Sequence, residues 1–113
     1  MKALGHMPVC GLQLPVKEGT ADDEPMLKDA YGAYNEDNST IWLNAGNPRH
    51  TVQFWTAHEA VHAMICLSGA MEAAGAILGV KDDDPRLGSL EENLVRVLTP
   101  HILETFGPAK IHK

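Results

Sequence analysis

The sequence has few aromatic residues and few basic ones. Aromatic residues make up 5% of the chain, so much of the bulky packing must come from Trp42, Phe54, Trp55 and Phe106. Nine Lys and Arg residues stand against fifteen Asp and Glu, which gives a formal net charge of −6. The basic residues are scattered and form no patch. This excludes proteins that bind nucleic acid or an anionic membrane through a broad basic surface.

Cysteines and long apolar runs are also scarce. Cys10 and Cys66 are too few for a disulfide framework, and Cys66 falls on the apolar side of a predicted helix, where a reduced thiol is the rule. No apolar run approaches membrane-spanning length, and glycine and proline interrupt the N-terminal stretch where a signal peptide would be apolar. We therefore expect one soluble, cytoplasmic domain over residues 1–113, with flexible ends at 1–10 and 108–113.

The first part of the chain favours β structure. Residues 12–16 alternate between apolar and polar side chains, and Pro15 predicts that this strand lies at a sheet edge. A hairpin follows, in which the turn-rich cluster 35–38 separates residues 30–34 from residues 40–43. The second arm of this hairpin has strong β propensity.

A helix is predicted after the hairpin. Asn47 and Pro48 form a start signal, with Asn as the cap and Pro at the first helical position. The helix should end near Ser68, because Gly69 favours a helix stop. Its apolar positions share one face at helical spacing: Phe54, Trp55, Val61 and Ile65.

A second long helix is predicted near the C-terminus. Residues 70–80 favour either a short helix or a flexible cover, and residues 81–88 form a polar loop. Ser89 then opens the helix, Pro100 should kink or break it, and 107–108 should end it. Its apolar face consists of Leu94, Val95, Leu98 and Ile102.

The pattern His-Glu-x-x-His lies inside the first predicted helix, as His58, Glu59 and His62. Two histidines four residues apart stack on one side of a helix, so their imidazoles can converge on one metal ion. Glu59 borders the same cleft without pointing straight at the metal, which suits a base acting on water beside zinc. The alternative is a pair of packed, satisfied histidines in a metal-free core.

A catalytic zinc normally has three protein ligands and a water. Ile65 and Ser68 stand where a metzincin would have Gly and His, which excludes that class. Glu91 and Glu92, at the start of the second helix, are the best candidates for the third ligand. Glu91 lines up with the core face, whereas Glu92 points partly inward and also completes a capping box with Ser89. Weaker candidates are Glu72, His101 and Glu104.

Three segments together resemble a known family. Thr56-Ala57-His58-Glu59-Ala60-Val61-His62-Ala63, the later Glu91-Glu92-Asn93-Leu94-Val95-Arg96-Val97-Leu98 and the preceding Thr40-Ile41-Trp42-Leu43 are similar to the ImmA/IrrE-type metallopeptidases. These are small zinc-peptidase-like proteins of phages and mobile elements, within the group called minigluzincins. The resemblance covers roughly residues 30–106.

The family pattern has apolar residues three and six positions after the metal-binding Glu. Glu92, with Val95 and Leu98, matches this pattern, so the resemblance assigns the third-ligand role to Glu92 and leaves Glu91 in reserve. Two positions depart from the family: Ala57 stands where Leu is common, and Pro100 interrupts the second helix.

The resemblance implies an α+β fold, a minimal zincin-like domain with a small antiparallel sheet packed on the HExxH helix. It also implies a zinc-dependent endopeptidase with one catalytic Zn²⁺, Glu59 as the catalytic base and a protein or peptide substrate. One alternative is a catalytically inactive, zinc-stabilised binding or structural protein of phage or mobile-element origin. Another is a metal-free interaction module. No nucleic-acid or membrane partner is expected, and no oligomeric state follows from the sequence.

Three further residues could face the cleft. His50 lies two turns before His58 and could donate a hydrogen bond there, but a surface position is favoured. Trp55 and Tyr34 could line the cleft, although packing in the core or sheet is the commoner role of such residues.

Overall fold

A mixed four-stranded sheet forms one layer of the protein. The computed structural model describes all residues 1–113, with strands β1 (Lys2–Val9), β2 (Leu12–Gly19), β3 (Gly32–Asn35) and β4 (Thr40–Asn44). The order in the sheet is β1-β2-β4-β3, and only the β2–β4 pair is parallel. The predicted α+β class is confirmed, and the predicted hairpin is β3–β4. The sheet is mixed rather than antiparallel, because the connection after β2 carries the chain past β4 to the far edge.

The prediction that Pro15 places β2 at a sheet edge is wrong. Parallel pairing of β2 with β4 begins at Val16, one residue after Pro15. On its other side Pro15 faces His6, whose N–H and C=O both bond to His112 on the outer side of β1, at 2.7 and 2.8 Å. His6 and Pro15 therefore exchange no hydrogen bonds, and the missing N–H of Pro15 costs β2 nothing.

The two ends of the chain, expected to be flexible, lie against each other. Residues 2–9 form β1, and His112 makes an isolated antiparallel bridge with His6. The two imidazole rings stack with centroids 5.9 Å apart. Ile111 and Ala109 pack against the apolar cluster beneath the sheet. The C-terminal segment thus covers part of the outer edge of β1.

Three helices follow the sheet: α1 (Val52–Ser68), preceded by the 3-10 turn Arg49–Thr51, α2 (Ala70–Leu78) and α3 (Pro85–Phe106). The predicted end of α1 is confirmed, because Gly69 is left-handed with φ 71° and its N–H bonds back to Cys66 and Ile65. The predicted cap is wrong. The Asn47 side chain instead donates a 2.7 Å hydrogen bond to the Tyr31 carbonyl.

The start of α3 also differs from the prediction. Asp84 caps the helix by accepting a 2.9 Å hydrogen bond from the Arg86 N–H, with Pro85 at the first position. Ser89 therefore lies inside the helix and forms no capping box. The helix continues through Pro100 without a break and ends at Gly107.

The core lies on both sides of α1. On one side α1 packs through Ala63 on the sheet, whose buried residues there are Met7, Val9, Leu14, Val16, Ile41 and Leu43. On the other side Val61 and Ile65 pack on Val95 of α3. None of the three helices alone has the length and apolarity needed to cross a membrane; α1 and α2 reach that threshold only together, with a 60° bend between them.

Candidate metal centre

Helix α1 places His58 and His62 one turn apart on the same side. Their ring centroids are 5.0 Å apart. His58 is buried and His62 is half-buried, so neither imidazole is a freely solvated surface group. A pair of polar rings held this close in the interior requires polar partners.

The carboxylate of Glu92, on α3, lies between the two imidazoles. One oxygen is 3.6 Å from His58 Nε2 and the other is 3.2 Å from His62 Nε2. One donor atom from each of the three side chains lies within 4.8 Å of the other two. A tetrahedral zinc with bonds of about 2.0–2.2 Å holds its ligand atoms about 3.3 Å apart. The three side chains could therefore hold a metal ion.

Glu91 occupies a different position from Glu92. Its carboxylate accepts a 2.7 Å hydrogen bond from His62 Nδ1. The other ring nitrogen of His62, Nε2, faces the Glu92 carboxylate at 3.2 Å, a distance at which a proton or a metal ion could lie between the two atoms. The pair Glu91–His62 thus has the arrangement of a carboxylate orienting a metal-binding histidine.

The surroundings of His58 favour its neutral form. Burial lowers the pKa of His58 and the charge of nearby His62 lowers it further, while the Glu92 carboxylate opposes both. The Trp55 ring packs 5.0 Å from the imidazole, and His58 Nδ1 is buried without a hydrogen-bond partner. A neutral imidazole is the form that binds a metal ion.

Glu59 is the most deeply buried carboxylate in the protein, with 5% of its surface exposed. The one basic group within ion-pair range is the imidazole of His58, whose Nε2 lies 4.0 Å away. Burial, followed by repulsion from Glu92, raises the pKa of Glu59 to about 8. This carboxyl lies beside the three converging side chains, as a proton-transferring group would.

Gly32 of β3 makes room for Glu59, and sequence reasoning missed it. A Cβ atom at this position would lie 2.9 Å from Glu59 Cγ and 3.2 Å from the Trp42 carbonyl oxygen. Any side chain here would push β3 away from α1. A glycine inside a strand is itself a signal of close approach, so this residue could have been suspected from the predicted hairpin.

An open cavity of about 600 Å³ lies over the centre. Its floor is α1, and its walls are the start of β3 on one side and α2 with the beginning of α3 on the other. Tyr34 and Trp55 line it while also packing on the core. Tyr31 stacks on Trp55 with ring centroids 5.3 Å apart. Glu59 and the three converging side chains all line this cavity.

The structure brings together His58, Glu59, His62 and Glu92, which the sequence had singled out. Glu72 lines the cavity but is not part of the converging group. The other candidates, His50, His101 and Glu104, are exposed and do not line the cavity. Comparisons with protein-family models, curated proteins and solved structures found no match for this chain.

Proposed function

We propose that this protein is a zinc-dependent endopeptidase of the kind its HExxH segment resembles, the ImmA/IrrE-type metallopeptidases. His58, His62 and Glu92 hold one Zn²⁺, and Glu59 is the general base. The observation that supports this is the convergence of three donor side chains beside a buried carboxylate that accepts no hydrogen bond. A structural zinc site is usually closed by four protein ligands, whereas three leave a position for water.

The residues of the chain divide the work between holding the metal and moving protons. Bound zinc supplies a Lewis acid that acidifies water and polarises a carbonyl group. Glu59 takes a proton from the attacking water and returns it to the leaving amine. In the metal-free protein, burial raises the pKa of Glu59 to about 8. The positive charge of a bound zinc would lower this pKa, so that the carboxylate could accept the proton and then return it. Glu91 orients His62 through the 2.7 Å hydrogen bond to Nδ1.

The substrate we propose is a protein or peptide, because the cavity is open and bordered by an unpaired strand edge, β3. We propose no nucleic-acid partner, because the protein has a net charge of −6. We place the protein in the cytoplasm, since Cys10 and Cys66 are both free thiols, as a reducing compartment favours.

The substitution Glu59→Gln tests the proposal. It keeps the shape of the side chain and removes the base. We expect about one zinc per chain in both proteins, by elemental analysis after equilibration with zinc. Cleavage of a peptide mixture, followed by mass spectrometry, should fall at least about 100-fold in the variant. Glu104→Gln is the matched control, because Glu104 is exposed on α3 and lies outside the cavity.

The possible outcomes separate the alternatives. Unchanged cleavage by zinc-loaded Glu59→Gln contradicts the role of Glu59. Stoichiometric zinc without cleavage of any peptide by the wild type favours the inactive, zinc-stabilised binding protein. Absence of stoichiometric zinc favours the metal-free interaction module.

A further inference from the structure

The cavity over the centre offers few hydrogen-bond donors to a ligand. It is lined by six carboxylates and by no Lys, Arg, Asn, Gln, Ser or Thr side chain. Apart from the two histidines, its side-chain donors are the Cys66 thiol, the Trp55 indole and the phenols of Tyr31 and Tyr34. The thiol already donates to the Glu36 carboxylate. One indole and two phenols therefore remain.

Hydrolysis of a peptide bond in this cavity requires a donor. As water attacks the carbonyl carbon, negative charge develops on the carbonyl oxygen, and preorganised donors aimed at that oxygen lower the barrier. The six carboxylates that line the cavity oppose the development of a further negative charge there. A hydroxyl directed at the oxygen offsets this repulsion.

Strand β3 runs beside α1 in the same direction. At its start the Tyr31 ring packs on Trp55 with centroids 5.3 Å apart, and just past its end Glu36 bonds to Cys66. Between these two contacts the chain makes five residue steps of strand and eleven of helix, and both advance about 16 Å. The strand and the helix therefore stay in step along their whole contact.

This alignment places Tyr34 beside the centre. Tyr34 is three residue steps beyond the first contact, or about 10 Å, and the same distance along α1 reaches His62. Tyr34 is also two residues after Gly32, so its side chain leaves the same face of β3, the face that lies against Glu59. The phenol and the Glu59 carboxyl thus border the same part of the cavity.

The Tyr34 ring is fixed while its hydroxyl is free. The ring is half-buried and packs on the main apolar cluster. The hydroxyl makes no hydrogen bond within the protein and is not among the buried polar atoms that lack a partner, so it is open to the cavity that Tyr34 lines. Tyr31, by contrast, is 51% exposed, and the Trp55 ring packs against His58 and the core.

We propose that Tyr34 is a catalytic residue whose hydroxyl donates a hydrogen bond to the carbonyl oxygen of the scissile peptide bond. This inference rests on the proposed function. The hydroxyl keeps its proton throughout, so Glu59 remains the group that takes up a proton and returns it. Because the hydrogen bond strengthens as the oxygen becomes negative, it stabilises the transition state more than the bound substrate. Tyr34 therefore acts on kcat rather than on KM.

Removal of this one hydroxyl tests the proposal. With zinc-loaded protein and a peptide that the wild type cleaves, Tyr34→Phe should lower kcat by about 100-fold and change KM by less than about twofold. Since the hydroxyl has no partner in the protein, the variant should unfold at the same urea concentration as the wild type. Tyr31→Phe removes the only other phenol hydroxyl of the cavity and should lower kcat far less.

A binding measurement separates the hydroxyl from cleavage. Calorimetry with zinc-loaded protein compares two uncleavable analogues of one peptide. One is a phosphinic peptide, whose tetrahedral, charged oxygens resemble the intermediate, and the other is a ketomethylene peptide, which keeps a planar carbonyl. Tyr34→Phe should weaken binding of the phosphinic peptide by about 100-fold and that of the ketomethylene peptide by less than about threefold.

The outcomes separate this inference from the proposed function. If no peptide is cleaved but Tyr34→Phe loses affinity for the phosphinic peptide alone, the endopeptidase function fails and Tyr34 still donates to a tetrahedral oxygen. If the wild type and Tyr34→Phe cleave equally well, the function stands and the inference fails. Equal weakening of both analogues assigns Tyr34 a packing role and overturns the inference, as does a wild type that binds neither analogue or a larger loss of kcat in Tyr31→Phe.

Discussion

Three glutamates around the two histidines have the same chemistry but different surroundings. Glu59 is buried and accepts no hydrogen bond, Glu91 bonds to His62 Nδ1, and Glu92 lies between both Nε2 atoms. In the proposed function, position rather than residue type therefore makes one the base, one the orienting partner and one the ligand. Substitutions to glutamine remove the charge of each with little change in shape, so they separate the three roles.

Glu92→Gln should weaken zinc binding more than Glu91→Gln. An amide in place of a ligating carboxylate should lower the affinity by more than about 100-fold, whereas loss of the orienting partner typically costs about 10- to 100-fold. Competition with a chromophoric chelator measures both affinities. A larger loss in Glu91→Gln would instead identify Glu91 as the third ligand.

Glu59 should make the metal-free protein less stable as the pH rises. A fully solvated glutamate, as in the unfolded chain, has a pKa of 4.5, and the pKa of Glu59 is about 8 in the folded protein. Between these values the folded state binds more protons, so the free energy of unfolding falls as pH rises from about 4.5 to about 8. In EDTA, Glu59→Gln should match the wild type near pH 4 and exceed it at pH 8 by on the order of 2 kcal/mol.

Urea unfolding of both proteins across this pH range provides the measurement. Subtracting the variant from the wild type largely removes the contribution of His58. The lowered pKa of His58 makes the free energy of unfolding rise with pH, and this effect is confined to pH values below the ordinary pKa of histidine. A difference that does not change with pH would show that Glu59 is not titrating in a buried site.

At the scale of elements, the centre depends on how closely β3 approaches α1. Gly32 permits this approach, since a Cβ there would lie 2.9 Å from Glu59 Cγ. Gly88, inside α3, has no atom within 4 Å of such a Cβ. The two glycines therefore form a matched pair, one required by packing and one not.

Gly32→Ala should destabilise the protein by about 1–3 kcal/mol, because overpacking forces β3 or Glu59 to move. Gly88→Ala should stabilise it by about 0.5–1 kcal/mol, because alanine loses less entropy in a helix. Chemical unfolding of the two variants beside the wild type measures both effects. A Gly32→Ala protein as stable as the wild type would contradict the contact between β3 and Glu59.

At the scale of the whole molecule, the C-terminal segment is part of the fold. His112 exchanges two backbone hydrogen bonds with His6, and Ile111 packs on the main apolar cluster. A Cβ at Gly5 would lie 2.2 Å from the His112 carbonyl oxygen. The segment therefore covers an edge of the sheet that would otherwise be open.

Deletion of residues 109–113 should lower the free energy of unfolding by about 2–3 kcal/mol, the sum of two hydrogen bonds and one half-buried Ile side chain. Thermal and urea unfolding measure the loss, and hydrogen exchange at the His6 amide should become faster. Deletion of Lys113 alone, which has no such contacts, serves as the control. An unchanged His6 amide would argue against the bridge.

Features that depend on neighbours along the chain were predictable from local sequence patterns. The spacing of His58 and His62 fixes their common side once a helix forms, and Gly69 ends that helix because glycine adopts φ 71° without strain. The β3–β4 hairpin is equally local. Two similar cap signals nevertheless had different outcomes. Asp84-Pro85 starts α3, whereas Asn47-Pro48 caps no helix, because the Asn47 side chain bonds to Tyr31 across the fold.

Features that depend on residues distant in sequence were not predictable from local patterns. The interior position of β2, the fit of Gly32 over Glu59, and the division of Glu91 and Glu92 between the two nitrogens of His62 arise from packing between elements. Helical periodicity placed both glutamates near the core face. A choice between adjacent residues depends on how α3 is rotated about its axis relative to α1. The contacts of Val95 with Val61 and Ile65 set that rotation. Such contacts join residues about thirty positions apart, so local propensity does not encode them.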